Sequence, residues 1–304
     1  MNDPRERLRP LRRPARLLAC ALALVAGCHS LGFLTPDKGD ARPGPQAALV
    51  AAPGAPGKYS FRIAPYVFLS DFEVKRDQPL FKELEELRDQ VYKELALPPG
   101  TAAVQVYLFE DRARYTRFMQ TRYPDLPARP AFFVAQPRTI GGAEDLLVYT
   151  FWGDRIQQDL RHELTHALLH SVIRDVPLWL DEGLAEYFEV APAANGVNAT
   201  HVEQLRRTLA GPLKPDLARL EGLKEVAQMH RPEYREAWAW VHLMLRTSPE
   251  ARGVLLGYLQ QLRRNRNPGS LGPQLARVFP DPEEALAKHL DEMAAAADTQ
   301  RAQR

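Results

Sequence analysis

Two histidines enclose a glutamate in the run His162-Glu163-Leu164-Thr165-His166. Because an α-helix places residues i and i+4 on one face, both imidazoles would point the same way and could bind one tetrahedral Zn²⁺. Glu163 follows the first histidine and is displaced around the helix, so it could reach a water on the metal without binding the metal itself. The pattern predicts a zinc site with its own general base. The alternative is an ordinary amphipathic helix whose histidines are satisfied by other contacts.

A catalytic zinc also needs a third protein ligand and an open fourth position. Glu182 is the candidate, because the 15 residues between His166 and Glu182 suffice to end one helix, turn and start a second helix packed on the first. Pro177 fits the first turn of that second helix. Gly183 has no side chain and would let it approach the metal-binding helix closely. In the alternative, Glu182 is a solvated acid near a helix N-terminus.

Glu186 lies four residues after Glu182 and shares its face of the predicted helix. A carboxylate there could accept the outer N–H of a ligand histidine and fix its tautomer, or it could simply be solvated. Asp181 is expected to be a surface acid. His170, eight residues after His162, is rotated away from it and is expected to be a partly exposed helix residue.

The segments 162–166 and 179–188 together resemble the gluzincin metallopeptidases, and among them the peptidase-MA-like group. The resemblance is strong over residues 159–190 and extends weakly, in the order of strands and helices, from 60 to 245. It implies that His162, His166 and Glu182 bind one Zn²⁺, that Glu163 is the base and that Glu186 supports a histidine. The spacing to the third ligand is shorter than in aminopeptidases and no Gly-rich substrate-anchoring segment is evident, so aminopeptidase specificity is not implied.

The resemblance carries two further expectations. A gluzincin substrate lies in a cleft below the edge strand of the sheet, and residues 146–151 are the candidate edge, with an internal strand as the alternative. A Tyr or His from a helical lobe often stabilises the tetrahedral oxyanion, which points to Tyr234, with His242 as the substitute.

Residues 1–27 have the pattern of a bacterial lipoprotein signal peptide. Six arginines precede an apolar stretch at residues 17–26 that is too short to span a bilayer as a mature helix. The run Val25-Ala26-Gly27-Cys28 resembles a lipobox, which implies a lipid on Cys28 and attachment to a membrane of the cell envelope, on its periplasmic side. His29 rather than Asp follows the cysteine, which by the same resemblance would permit sorting to the outer membrane. A plain secretory signal and an uncleaved anchor are the alternatives.

Charge and cysteine content exclude two classes of protein. The chain has a formal net charge of +2, but residues 1–27 hold six Arg against two acids, so the remainder is at −2 and shows no basic patch for a nucleic-acid partner. Its two cysteines, Cys20 and Cys28, both lie at the signal segment, so the body of the protein has no disulfide. Residues 28–58 are rich in Pro, Gly and Ala and are predicted to form a flexible tether.

The remaining pattern predicts an α+β fold. Strands near 66–72, 104–109, 131–135 and 146–152 alternate with helices near 80–97, 111–123 and 155–172, which predicts a zincin-like lobe of a small sheet and an active-site helix at residues 59–198. Only helical patterns follow, so residues 199–304 are predicted to form a mostly helical lobe.

We therefore expect zinc-dependent hydrolysis of a peptide or protein substrate by an envelope-anchored metallopeptidase. A non-catalytic lipoprotein that uses the same fold to bind a partner is the alternative, and hydrolysis of a non-peptide amide is a third reading. The sequence leaves the oligomeric state open.

Overall fold

The computed structural model describes residues 54–137, 144–209 and 214–302. The predicted signal segment, Cys28, the tether up to residue 53 and the predicted Gly141-Gly142 turn lie outside the described residues. No described helix combines the length and the apolar character needed to cross a bilayer.

A five-stranded sheet of mixed direction is followed by a region made mostly of helices, so the molecule has the expected α+β class. The strands are β1 (Tyr59–Ile63), β2 (Tyr66–Ser70), β3 (Val104–Phe109), β4 (Ala131–Pro137) and β5 (Glu144–Phe151), in the spatial order β1-β2-β3-β5-β4. β2, β3 and β5 are parallel, and the outer strands β1 and β4 pair antiparallel with β2 and β5.

Helices make up the rest of the described fold. They are α1 (Pro79–Glu94), α2 (Arg112–Arg122), α3 (Ile156–His170), α4 (Leu178–Phe188), α5 (Ala199–Leu209), α6 (Leu217–Gly222), α7 (Arg231–Arg246), α8 (Pro249–Arg264), α9 (Gly272–Leu275) and α10 (Pro282–Ala302), with short 3₁₀ turns at Pro192–Ala194 and Val226–Gln228.

The central strand β3 is buried along its whole length, and its side chains alternate between two cores. Val106 and Leu108 join the main core, which α1, α3, α4, α7 and α8 share, whereas Tyr107 and Phe109 join a smaller aromatic core under α2. This period of two is what an extended chain covered on both faces produces. The main core includes residues on both sides of position 198.

Three helices carry most of the candidate site. α3 presents Leu160, Leu164 and Leu168 to the core at intervals of four residues. Pro177 caps α4, which begins at Leu178 and is buried almost throughout. α4 packs between α3 and α7.

Gly183 sets the distance between α4 and α7. A Cβ at this position would lie 2.6 Å from the carbonyl oxygen of Ala237 and 3.0 Å from a methyl group of Val241. The close approach that the glycine allows is therefore to α7, and the expectation that it serves contact with the metal-binding helix was wrong.

The expected edge strand was also wrong. Residues 146–151 belong to β5, which lies between β3 and β4, so β4 is the edge on this side of the described sheet. Both strands are apolar and of similar length. The order of strands depends on long-range pairings that the local pattern of one sequence does not reveal.

Gly183→Ala tests the α4–α7 packing. The methyl group has no room against the α7 backbone, and we expect the free energy of unfolding to fall by about 1–3 kcal/mol despite the better helix propensity of alanine. Urea unfolding with a chelator present measures this without a contribution from metal.

Gly253→Ala in α8 is the matched control, because nothing lies within 4 Å of a Cβ there. We expect it to raise stability by up to about 1 kcal/mol. Equal or greater stability of Gly183→Ala would contradict the packing described here.

Candidate metal centre

The two motif histidines lie side by side on α3, with ring centroids 5.0 Å apart and ring planes at 71°. The side chain of His166 is 3 % exposed and that of His162 16 %. Their Nε2 atoms both face Glu182 on α4. The structure therefore brings together all three predicted ligands, although they come from two helices.

Glu182 completes this cluster with one carboxylate oxygen. Its Oε2 lies 3.5 Å from His162 Nε2 and 3.6 Å from His166 Nε2. This oxygen is buried and has no hydrogen-bond partner among the described residues. Burial alone would raise the pKa of the carboxyl, but the two imidazoles outweigh it and lower the pKa to about 2.

The geometry fits a tetrahedral metal ion. Ligand bonds of about 2.0–2.1 Å place the ligand atoms of a tetrahedron roughly 3.3–3.4 Å apart, close to the two distances found here. A nitrogen–nitrogen–oxygen donor set suits Zn²⁺. The orphaned Oε2 also fits, because coordination would satisfy it.

Each ligand histidine has a carboxylate behind it. His162 Nδ1 lies 3.1 Å from Glu189 Oε2, and His166 Nδ1 lies 2.9 Å from Asp181 Oδ1. The hydrogen bond to Glu189 favours a proton on Nδ1 of His162, and the negative charge of Asp181 beside His166 Nδ1 favours the same tautomer there. This tautomer leaves the Nε2 lone pair free for a metal.

The same carboxylates favour the charged form of both imidazoles. Burial opposes a positive charge on His162, but Glu182 and Glu189 raise its pKa well above the ordinary value. Burial likewise opposes the charge on His166, and Asp181 and Glu182 raise its pKa well above the ordinary value. A metal ion at this site would therefore compete with protons at both Nε2 atoms.

Glu163 lies beside the cluster but does not belong to the ligand set. Burial raises the pKa of its carboxyl, and Glu182 adds to this effect, whereas His162, His166 and Arg129 oppose it. A half-buried carboxylate next to the ligands is suited to exchange a proton with a nearby water.

Tyr234 reaches the same cluster from the first turns of α7. Its hydroxyl lies 3.5 Å from Glu182 Oε1. It accepts a hydrogen bond of 2.5 Å from Arg129 Nη2. His242, the substitute named from the sequence, is buried elsewhere, with its Nδ1 2.8 Å from His289 Nε2.

The expected role of Glu186 is taken by another residue. Glu186 pairs with His201 of α5, with 2.7 Å between its Oε2 and His201 Nε2, while Glu189 supports His162. Glu186, Glu189 and His162 also form a group close enough to hold an ion, but the contact to Glu189 and the His201 pair already engage these side chains. The group with Glu182 is therefore the better candidate for a metal site.

Asp181 is not the surface acid expected from the sequence. It is 2 % exposed and lies between His166 and His170, whose Nε2 is 3.0 Å from Asp181 Oδ2. Burial would raise the pKa of Asp181, but the two imidazoles lower it. His170 thus has a defined buried partner.

A sequence signal existed for some of the residues that were missed. Glu189 is seven residues after Glu182, which returns it to the same helix face as closely as Glu186 at four residues. Glu186 is not available to His162 because it pairs with His201. The position of His201 depends on the path of the loop before α5. Arg129 carries no such signal, since it precedes β4 and reaches the site only through the fold.

A family model described as a protein of unknown function (DUF1570) matches residues 158–268. This segment runs from α3 through α8 and includes His162, Glu163, His166, Glu182 and Tyr234. Its description names no activity. No curated protein matches the chain.

Substitution of Glu189 and Glu186 by Gln tests which carboxylate supports the ligand. Glu189→Gln should weaken zinc affinity about 10- to 100-fold, because the amide is a weaker acceptor from His162. Glu186→Gln is isosteric and one turn away, and its effect should be several-fold smaller. Competition with a chromophoric chelator measures both, and a larger loss in Glu186→Gln would refute the assignment.

Zinc affinity should also rise with pH. The raised imidazole pKa values mean that protons leave as the metal binds, so affinity should increase by up to about tenfold per pH unit for each proton displaced. Calorimetry at pH 7 in buffers of different ionisation enthalpy should show release of one to two protons per zinc. A zinc affinity that does not change between pH 6 and pH 8 contradicts this account of the cluster.

Proposed function

We propose that this protein is a zinc-dependent peptidase in which His162, His166 and Glu182 hold one Zn²⁺ and Glu163 is the general base. The observation that carries the proposal is the buried Glu182 Oε2, which faces both Nε2 atoms and has no other partner among the described residues. The carboxylate of Glu163, the proposed base, lies beside this donor set without belonging to it. This is the arrangement that hydrolysis by an activated water requires.

The bound metal would lower the pKa of a water to about 7 and polarise the scissile carbonyl. The protein supplies the proton transfers. Glu163 accepts a proton from the attacking water and gives it to the nitrogen of the leaving amine as the C–N bond breaks. Asp181 and Glu189 hold the two imidazoles in the orientation that the ligand set needs.

An extended peptide is the substrate class that the sheet favours. β4 leaves one side without a strand neighbour in the described sheet, and it lies over α3, where its Phe133 ring is 6.1 Å from that of His166 and 5.3 Å from that of His170. A substrate chain could pair with this strand through backbone hydrogen bonds. The candidate edge therefore moves from residues 146–151 to β4.

Attachment to the cell envelope through a lipid on Cys28 completes the proposal. It rests on the lipobox-like run and on the signal-like pattern of residues 1–27, which lie outside the described residues. An anchored peptidase of this kind would act on chains that approach the membrane surface. The segments 59–198 and 199–304 would form the two sides of its cleft.

Glu163→Gln tests the chemistry. The amide keeps the shape of the side chain but cannot accept the proton, so zinc content should stay at one ion per chain while hydrolysis of a peptide library falls at least about 100-fold. Elemental analysis and mass spectrometry of the digested library provide the two readouts.

Two variants bracket this experiment. His162→Ala should lose zinc as well as activity, and Glu85→Gln, an exposed substitution on α1, should change neither. Full turnover by Glu163→Gln would exclude the mechanism. A wild-type protein that binds zinc tightly but cleaves no peptide would favour the alternative of a binding module.

A further inference from the structure

Arg129 places a positive charge against a cluster otherwise built from histidines and carboxylates. Its Nη2 donates to the hydroxyl oxygen of Tyr234 at 2.5 Å, and its Nη1 lies 3.9 Å from Glu182 Oε1. The side chain is 29 % exposed. The guanidinium and the phenol therefore both face the Glu182 oxygen that is turned away from the histidines.

The fold holds this arginine in place from two directions. Its backbone carbonyl accepts a hydrogen bond of 2.9 Å from the hydroxyl of Tyr115. Its guanidinium lies 5.5 Å from the ring centre of Tyr234 and 5.9 Å from that of Phe132. Contacts from α2, β4 and α7 therefore fix the position of Arg129.

The chemistry of the pair determines where the Tyr234 proton points. A guanidinium has five N–H donors and no acceptor, so the phenol oxygen must accept in the contact with Arg129. The phenolic proton is then directed elsewhere. It points towards Glu182 Oε1, but at 3.5 Å this is a weak hydrogen bond that a better-placed oxygen can replace.

We infer that Arg129 is a positioning residue that fixes Tyr234 as a hydrogen-bond donor to the carbonyl oxygen of the scissile peptide. The inference rests on the proposed function and adds a residue that neither the motif nor the family model contains. As negative charge develops on that oxygen, a donor already aimed at it stabilises the charge without reorganisation. Donation from the cationic guanidinium also polarises the phenol and strengthens its own O–H donation.

A double-mutant cycle tests the dependence of one residue on the other. If Arg129 acts through the phenol, Arg129→Met should lower kcat about tenfold in the wild-type background and at most about twofold in Tyr234→Phe, since the proton it directs is gone. Tyr234→Phe alone should lower kcat by about 10²–10³-fold, as loss of one oxyanion donor does. Arg129→Lys should recover part of the loss, and Arg117→Met, an exposed arginine on α2, should have no effect.

A binding experiment provides a readout that does not require turnover. Calorimetry of the zinc-loaded proteins with a phosphinic pseudo-peptide measures affinity for a tetrahedral anion at the site. We expect the same non-additive losses as in kcat. Imidazole, a neutral zinc ligand, should bind all variants within about twofold, which separates loss of the donor from damage to the metal site.

The outcomes distinguish this inference from the proposed function. Additive losses in the cycle would overturn the positioning role, and so would a loss of zinc from Arg129→Met. A third contrary result is an effect on KM alone that appears only with peptides whose C-terminus is free rather than amidated. That result would make Arg129 a binder of substrate carboxylates. These results leave the peptidase intact while Glu163→Gln remains inactive. Failure of the wild-type protein to cleave peptides and to bind the phosphinate would overturn both.

Discussion

A buried carboxylate between two imidazoles is the interaction on which the site depends. Glu182 is 1 % exposed, and a charge taken so far from water is costly unless partners of opposite charge surround it. His162 and His166 supply those partners on one oxygen, while Arg129 and Tyr234 face the other. Removing one partner would leave uncompensated charge, so the cluster and the packing of α3 on α4 stabilise each other.

The rest of the fold fixes the positions of the two helices that make this contact. β3 and β5 are covered on both faces, which gives α3 a rigid surface to lie on. α7 holds α4 from the opposite side, at a distance that the missing side chain of Gly183 permits. Tyr234 lies at the start of that same α7, so the packing that positions Glu182 also places the phenol beside it.

The sequence predicted correctly which residues come together where helix periodicity determines their positions. The predictions failed for residues whose partners are set by long-range packing. Two histidines on one helix follow from a period of 3.6 residues, and the α+β class follows from alternating strand and helix patterns. Glu186 and Glu189 lie at similar angles on one helix face, and only the position of His201 separates them. Asp181 was expected at the surface as an acid in the first turn of a helix, whereas in the fold it lies between His166 and His170. Arg129 comes from a loop that no local pattern connects to the motif.

The charge balance of the cluster suits the divalent ion proposed above. The carboxylates of Asp181, Glu182 and Glu189 raise the pKa of His162 and His166 and so favour their protonated forms. A divalent ion at the proposed site would displace up to two protons from the Nε2 atoms and add two positive charges in their place. The buried charge is thus nearly unchanged by the exchange, whereas a monovalent ion would leave it one unit short. In either state positive charge would lie between the buried carboxylates, so the exchange of protons for a divalent ion would add no uncompensated charge to the core.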